Sequence, residues 1–337
     1  MDPENDGCVP GLREVRVHDG GVTASPGRIG IGLAAVARPA YITSGRGRDL
    51  GQQRSVADLR ARTWSVLDAA HAAGIRYVDV ARSYGRAEEF LAGWLAARPG
   101  TDDVQVGSKW GYRYVGGWRT EADVHEIKEH SADAFAAQSA ESLALLGDRL
   151  GVYHVHSATL ETGVLADAGV HRAMAALRDR GVRVGISTSG PAQSDAVRRA
   201  LEVRVDGEPL FTSFQSTWNL LEPSVGPALA EAAQAGARVI VKEPVANGRL
   251  APGGDDGSPG ATGAAAAAAR AGVPVDQLAI AVALAQPWAP TVLSGAVTPA
   301  QVASNVAAAA LAVPEDLEAL AEDPREYWTR RSRRAWR

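Results

Sequence analysis

The sequence predicts a single-domain α/β protein, a (β/α)8 TIM barrel, and three observations point there. Short apolar runs alternate with stretches of three- and four-residue apolar spacing along most of the 337 residues. The strand-like runs number eight, the count that closes a ring of parallel strands joined by right-handed crossovers. No Gly-x-Gly-x-x-Gly follows the first run, as the competing doubly wound open sheet would want.

The strands are expected at 28–34, 76–80, 104–109, 152–156, 182–187, 211–216, 238–242 and 291–294. Between the first two, Leu59, Trp64, Val66, Leu67 and Ala70 mark a helical face. Further helices are expected at 134–146, 170–180, 191–201, 225–235, 275–285 and 299–311. Gly74, Gly181 and Gly236 stand where helices end, and Ser187-Thr-Ser-Gly-Pro191 reads as a helix start. The Gly/Pro/Asp-rich stretch 252–263 reads as a flexible loop after strand seven. The organisation is then a polar extension (1–27), the barrel (28–312) and an Arg/Trp-containing C-terminal tail (313–337). Trp328 and Trp336 argue that the tail packs, because two indoles are costly to leave in water.

Hydrophobic content of 46% and charged content of 22% are those of a soluble globular chain. A net charge of −4 gives no reason to expect a nucleic acid or membrane partner. The single Cys8 cannot form an internal disulfide, residues 1–10 lack an apolar core for a secretory signal, and no apolar run reaches about 18 residues. A cytoplasmic protein is the expectation.

Function is concentrated at the strand ends. Residues 74–85, Gly-Ile-Arg-Tyr-Val-Asp-Val-Ala-Arg-Ser-Tyr-Gly, place Asp79 at the end of strand two and Tyr84 just beyond it. Lys109 ends strand three and His156 ends strand four. Adjacent strands lie about 4.8 Å apart, so these ends converge at the C-terminal mouth where such barrels keep their active sites. A carboxylate, phenol, amine and imidazole there suit protonation of a carbonyl oxygen while hydride reaches its carbon. Free tyrosine has a pKa of about 10; a lysine ammonium about 4 Å away favours the phenolate by up to roughly 4 kcal/mol, so Lys109 is expected to bring Tyr84 down toward neutrality. Lys109 in turn needs Asp79 as counter-ion if buried, and His156 orients the carbonyl. His154 and His156 find no third ligand at suggestive spacing, so no metal site is indicated.

Residues 74–85 with Glu88-Glu89, Ser108-Lys109 and the run ending in His156 resemble the aldo-keto reductase signature, and the resemblance extends from about residue 28 to 305. It implies the (β/α)8 barrel, the tetrad Asp79, Tyr84, Lys109 and His156, and a nicotinamide cofactor extended across the mouth. Val-Gly-Ile-Ser187-Thr188 is similar to the family's Gly-Val-Ser-Asn, which implies that Ser187 holds the carboxamide, with Thr188 in place of Asn. Phe-Gln215-Ser-Thr-Trp218-Asn implies Gln215 on the carboxamide and Trp218 stacked on the nicotinamide. Lys242-Glu243-Pro244-Val-Ala-Asn-Gly248 resembles the pyrophosphate loop, with an unfavourable Glu243 where Ser is common. Gly295, Ala296, Gln301 and Asn305 match the adenosine segment without the Lys and Arg that often meet a 2′-phosphate. NADPH is the expected cofactor with NADH as the alternative, and Arg249 is a conceivable phosphate partner.

Two long loops would shape the substrate pocket: 37–53 with Tyr41, and 110–130 with Trp110, Tyr112, Tyr114 and Trp118. Arg38, Arg46 and Arg48 read as solvated surface charges. The resulting expectation is reduction of an aldehyde or ketone by NAD(P)H, on a small-molecule carbonyl or sugar. The alternatives are an aldose 1-dehydrogenase on the same site and a cofactor-binding regulatory subunit.

Overall fold

The computed structural model describes residues 26–42, 49–314 and 316–336; Cys8, Arg46, Arg48 and nearly all of the expected N-terminal extension lie outside them. Eight parallel strands close into a barrel in chain order: β1 (Ile29–Gly32), β2 (Tyr77–Asp79), β3 (Gln105–Trp110), β4 (Leu150–Ala158), β5 (Arg183–Thr188), β6 (Ser213–Thr217), β7 (Arg238–Lys242) and β8 (Thr291–Ser294). Each falls on an expected run. The register decides the site: Asp79 lies opposite Gly32 and Gly107, Lys109 opposite His154, and Gln215 opposite Ser187. Inside the ring, a Cβ on Gly107 would collide with the Tyr77 hydroxyl, so only glycine lets Tyr77 reach across from β2.

The helices are set by local capping and one apolar stripe each. Ser55 and Asp58 form a capping box that starts α1 (Val56–Ala72), whose Leu59, Val66, Leu67 and Ala70 are buried. α2 (Ala87–Ala97) buries Phe90, Leu91 and Trp94, a periodic stripe that was not expected as a helix. Ser131 and Asp167 cap α3 (Ala132–Leu146) and α4 (Ala168–Arg178), so both begin two residues earlier than their apolar spacing alone suggests. α5 (Gln193–Leu201) and α6 (Gly226–Gln234) follow β5 and β6. The expected loop 252–263 is in part helix. The Ser258 hydroxyl accepts from Ala261 N and Pro259 occupies the first turn, which starts α7 (Pro259–Ala271) inside it. α8 (Val275–Ala285) and α9 (Pro299–Ala307) complete the barrel sheath, α9 ending in a 3-10 turn, Ala308–Ala310.

Two small antiparallel units interrupt the alternation. Residues Tyr112–Tyr114 pair with Glu126–Lys128 after β3, within what the sequence shows as a long loop. Arg204–Val205 pairs with Glu208–Pro209 before β6. The chain ends in α10 (Pro324–Ser332), capped by Asp323. Tyr327 and Trp328 bury themselves there: Asn219 Nδ2 donates to the Tyr327 hydroxyl at 3.0 Å, and Trp328 Nε1 donates to Glu222 at 3.3 Å. Among the described residues no single helix is long and apolar enough to cross a membrane.

Candidate active site

A cleft of about 330 Å³ opens at the C-terminal ends of the strands. Asp79, Tyr84, Tyr112, His156 and Gln215 line it, together with Pro244, Gly248, Ser294 and Gly295. Tyr41 and Arg38 from the β1 loop, Glu126 from the hairpin, and Arg331, Arg334 and Trp336 from the C-terminal segment also face it. The cleft is thus lined by residues from both halves of the barrel and from the C-terminal segment.

The structure brings together the four residues of the expected tetrad. Lys109 Nζ pairs with Asp79 Oδ1 and donates to the Val80 carbonyl at 2.8 Å, and both side chains are almost wholly buried. Gln215 Nε2 donates to the other Asp79 oxygen at 2.7 Å. Lys109 Nζ sits 4.7 Å from the centre of the Tyr84 ring, and the Tyr84 and His156 rings meet edge to face at 5.5 Å. Tyr112 packs on the other ring partner, His156, at 4.9 Å. The His156 segment is locally irregular: the β4–β5 register shifts between Val155 and Ala158, and Ser157 takes a left-handed φ of 52°.

The electrostatics correct one expectation. Burial lifts the Tyr84 phenol well above its ordinary value, Asp79 adds to this, and Arg38 works against it. The net direction is upward, not toward neutrality, even with Lys109 beside the ring; that lysine is itself paired with Asp79. Burial lowers Lys109 itself, opposed by that same carboxylate. Burial, then the nearby Lys109 and Lys242 charges, holds His156 well below the usual imidazole value, so the ring is neutral. Tyr84 is therefore a protonated phenol beside a neutral imidazole. Burial also pushes Tyr112 up to about 12.

Arg38 corrects a second expectation, since it is not a solvated surface charge. It is 1% exposed, donates to the Ala34 carbonyl at 2.9 Å and pairs with Glu126 at 2.6 Å. Its guanidinium stands 4.8 Å from the centre of the Tyr84 ring and 4.3 Å from that of Tyr41. Sequence spacing could not find this contact, because Glu126 comes from a hairpin that the loop reading did not contain.

Several residues expected at the cofactor or substrate do not line the cleft. Trp110 is fully buried against Phe135, with ring centres 5.0 Å apart, and is a core residue rather than pocket wall. Trp218 is also fully buried, packed on Trp288 at 5.7 Å. The Ser187 hydroxyl accepts from Ser157 N at 2.9 Å, and Thr188 is 2.7 Å from the Ser216 hydroxyl; Ser189 is the residue of this turn that faces the cleft. Ala296 is buried behind Gly295. Gln301 accepts from Val297 N at 2.8 Å and donates to Asp49 at 2.9 Å. The Asn305 amide lies 2.7 Å from the Ser294 hydroxyl and turns its nitrogen toward Asp276. Arg249 is 3% exposed and pairs with both Asp256 and Glu322, so it is not disposed toward a 2′-phosphate.

The remaining lining fits an extended dinucleotide. A Cβ on Gly295 would project into open space, so the backbone leaves room there for a ligand to lie close. The Asn247 Oδ1 is buried without a hydrogen-bond partner in the floor formed by residues 243–248. Arg331 and Arg334 bring positive charge to the same stretch. Among the described residues, no group of three or more His, Cys, Asp or Glu is placed to hold a metal ion.

Comparison with known proteins bears on the family and the fold. The sequence profile described as "Aldo/keto reductase family" matches residues 47–322. A Pseudomonas protein named D-threo-aldose 1-dehydrogenase is 33% identical over 156 residues, 41% of this chain and 46% of its own length. A Strobilurus tenacellus protein named as an aldo-keto reductase is 28% identical over 188 residues, covering 56% of this chain and 51% of that protein. The chain thus spans about half the length of these curated relatives. Among solved structures, the holo form of an aldo-keto reductase from Bacillus halodurans superposes with a TM-score of 0.62 at 20% identity, over 91% of this chain and 93% of that one, which speaks to the fold. With the profile covering most of the sequence and the barrel closed around these residues, the chain belongs to the aldo/keto reductase family, whose members are oxidoreductases that use NAD(P)H.

Proposed function

We propose that this protein reduces an aldehyde or ketone to the alcohol, with Tyr84 as proton donor. The observation that carries this reading is the buried Tyr84 phenol in edge contact with the His156 ring, with the buried Lys109–Asp79 pair beside it, at the cleft. A bound NAD(P)H supplies the hydride. The chain's own residues do the rest. The neutral His156 ring and the Tyr84 hydroxyl take hold of the carbonyl oxygen, which fixes the carbonyl carbon toward the cofactor end of the cleft. As negative charge develops on that oxygen, Tyr84 gives up its proton, and the cations at its ring, Lys109 and Arg38, stabilise the phenolate left behind. Burial keeps water from competing for the oxygen. Arg331, Arg334 and the 243–248 loop form the channel in which the cofactor would lie.

A second reading is favoured by the relative named D-threo-aldose 1-dehydrogenase and by the polar groups around Tyr84, namely Arg38, Glu126 and Ser157. The same site run in reverse would oxidise the anomeric hydroxyl of a sugar, with phenolate Tyr84 as base. The test is consumption of NADPH and NADH with aryl aldehydes, ketones and aldoses, and reduction of NAD(P)+ with aldoses, for wild type and Tyr84→Phe. Loss of a general acid is expected to lower turnover by about 10²–10⁴-fold while cofactor still binds. Undiminished turnover in Tyr84→Phe would refute the assignment.

A further inference from the structure

The loop after β7 presents an electrostatic problem that its sequence does not solve. Glu243 places a carboxylate at the head of residues 243–248, the stretch along which dinucleotide phosphates would run. The loop's own arginine, Arg249, is turned away and held by Asp256 and Glu322. Positive charge arrives instead from the far end of the chain. Arg331, on the last turns of α10, grips the Glu243 carboxylate with two nitrogens, Nε at 2.9 Å and the adjacent terminal nitrogen. Arg334, just past the helix, donates to the Asn247 carbonyl at 2.9 Å. Both arginines line the cleft, as do Gly248 and Gly295. Lys242, the residue before Glu243, lines it as well and donates to the Thr217 hydroxyl at 2.7 Å.

The charges match a particular guest. Lys242, Arg331 and Arg334 bring more positive charge to this floor than the Glu243 carboxylate offsets. The pyrophosphate bridge of a dinucleotide is an anion of the size and charge that such a floor suits. The helix that delivers the arginines is firmly seated by Tyr327 on Asn219 and Trp328 on Glu222, so the two guanidinium groups are held in place rather than searching from a mobile tail.

We propose that Arg331 and Arg334 are the cations that bind the cofactor pyrophosphate in this protein, so that the C-terminal segment forms one wall of the dinucleotide site. This rests on reading the cleft as a nicotinamide dinucleotide site. Glu243 then has a defined part: paired with Arg331, it offsets one positive charge when the site is empty. The arginines act on the bridge common to both cofactors, not on the 2′-phosphate that separates them.

The experiment is equilibrium titration with NADPH and with NADH, followed by quenching of protein fluorescence at low and high salt. Wild type, Arg334→Ala, Arg334→Lys, Arg331→Lys and Glu243→Ser are compared, with thermal melts confirming that each is folded. Loss of one charged hydrogen-bonding group should weaken both cofactors alike, by about ten-fold for Arg334→Ala. Its binding should also depend less steeply on salt. Arg334→Lys and Arg331→Lys, which keep the charge and lose the fork, should lose less. Glu243→Ser, which removes the opposing carboxylate, should bind more tightly. Unchanged affinity in Arg334→Ala and Arg331→Lys would overturn the proposal. So would a loss confined to NADPH, which would put the arginines on the 2′-phosphate. Wild-type protein that binds neither cofactor would overturn the reading of the cleft itself, and the proposal with it.

Discussion

The surroundings of Tyr84 favour its protonated phenol, as the proposed role of proton donor requires. Burial and Asp79 lift its pKa, and Arg38 at the ring face counters them. Burial and the neighbouring Lys109 and Lys242 charges depress His156, which disfavours an imidazolium as the acid and leaves a neutral ring that can still donate a hydrogen bond. The carbonyl-reducing rate should therefore show no inflection from Tyr84 or His156 between about pH 6 and about pH 9; Lys242, lowered by burial to about 8, is a cleft group that does titrate there. The alcohol-oxidising rate, which needs the phenolate, should climb across the same range. Rate profiles in both directions check this, and an inflection near pH 6.5 in reduction would make an imidazolium His156 the acid instead. The groups that bear on Tyr84 include Asp79, Glu126, Glu243, Lys109 and Arg38, so one substitution tests the balance. Arg38→Met removes a cation from the phenolate face and should lower kcat for reduction by about ten-fold, the worth of a desolvated cation–ring contact. It should leave cofactor affinity nearly unchanged; intact kcat in folded Arg38→Met protein would show that Arg38 only packs. Asp79, Tyr84, Lys109 and His156 were legible from the sequence because a two-residue strand period and parallel packing fix where strand ends meet. Arg38 was not, since its role depends on a guanidinium folding back over rings from three separate segments.

At the scale of elements, the pair between the β7 loop and α10 is the joint that matters most. Burial alone would push the Glu243 carboxyl up, but Arg331 and Lys242 more than reverse this and hold it at about 2, against an ordinary 4.5. A carboxyl depressed on folding stabilises the native state above its unfolded pKa, and that contribution disappears as pH falls through the folded value. The window is therefore about pH 4.5 down to about 2, and the contribution is of order 3 kcal/mol. Urea unfolding at steps from pH 5 to pH 2 should show wild type losing its advantage over Glu243→Gln across that window. A constant difference between the two would contradict the pairing. Sequence reasoning saw both partners but could not join them, because 88 positions separate Glu243 from Arg331. It also passed over signals that physical chemistry makes readable. Ser258-Pro259 before an alanine run is a helix start, and Val205-Asp-Gly-Glu208 is a two-residue hairpin, with Asp206 and Gly207 at φ of 56° and 82°. The hairpin that carries Tyr112 and Glu126 was harder, because the connection between its three-residue strands is longer than either.

For the whole molecule, the barrel supplies a rigid ring of strand ends and the two chain-terminal regions of the described structure finish the site. The β1 loop brings Arg38 and Tyr41, and the C-terminal segment brings Arg331, Arg334 and Trp336. Trp336 stacks on His125 with ring centres 4.5 Å apart and lies 4.8 Å from the Arg38 guanidinium. The last residues thus tie the hairpin, the β1 loop and the β7 loop together across the mouth. The barrel was predictable from eight alternating units, since parallel strands must be joined by crossovers and covered on the outside. Trp110 and Trp218 were misplaced because motif position says where a residue leaves the strand and nothing about which side of the wall its ring takes.

The proposed hydride transfer from a nicotinamide to a carbonyl carbon beside Tyr84 can be followed with an isotope. NADPH or NADH carrying deuterium on one or the other face of its C4 carbon is incubated with the best carbonyl substrate, and the alcohol is analysed by mass spectrometry. One deuterium on the former carbonyl carbon, from one face only, is the predicted result. An alcohol formed without label from either face would contradict it.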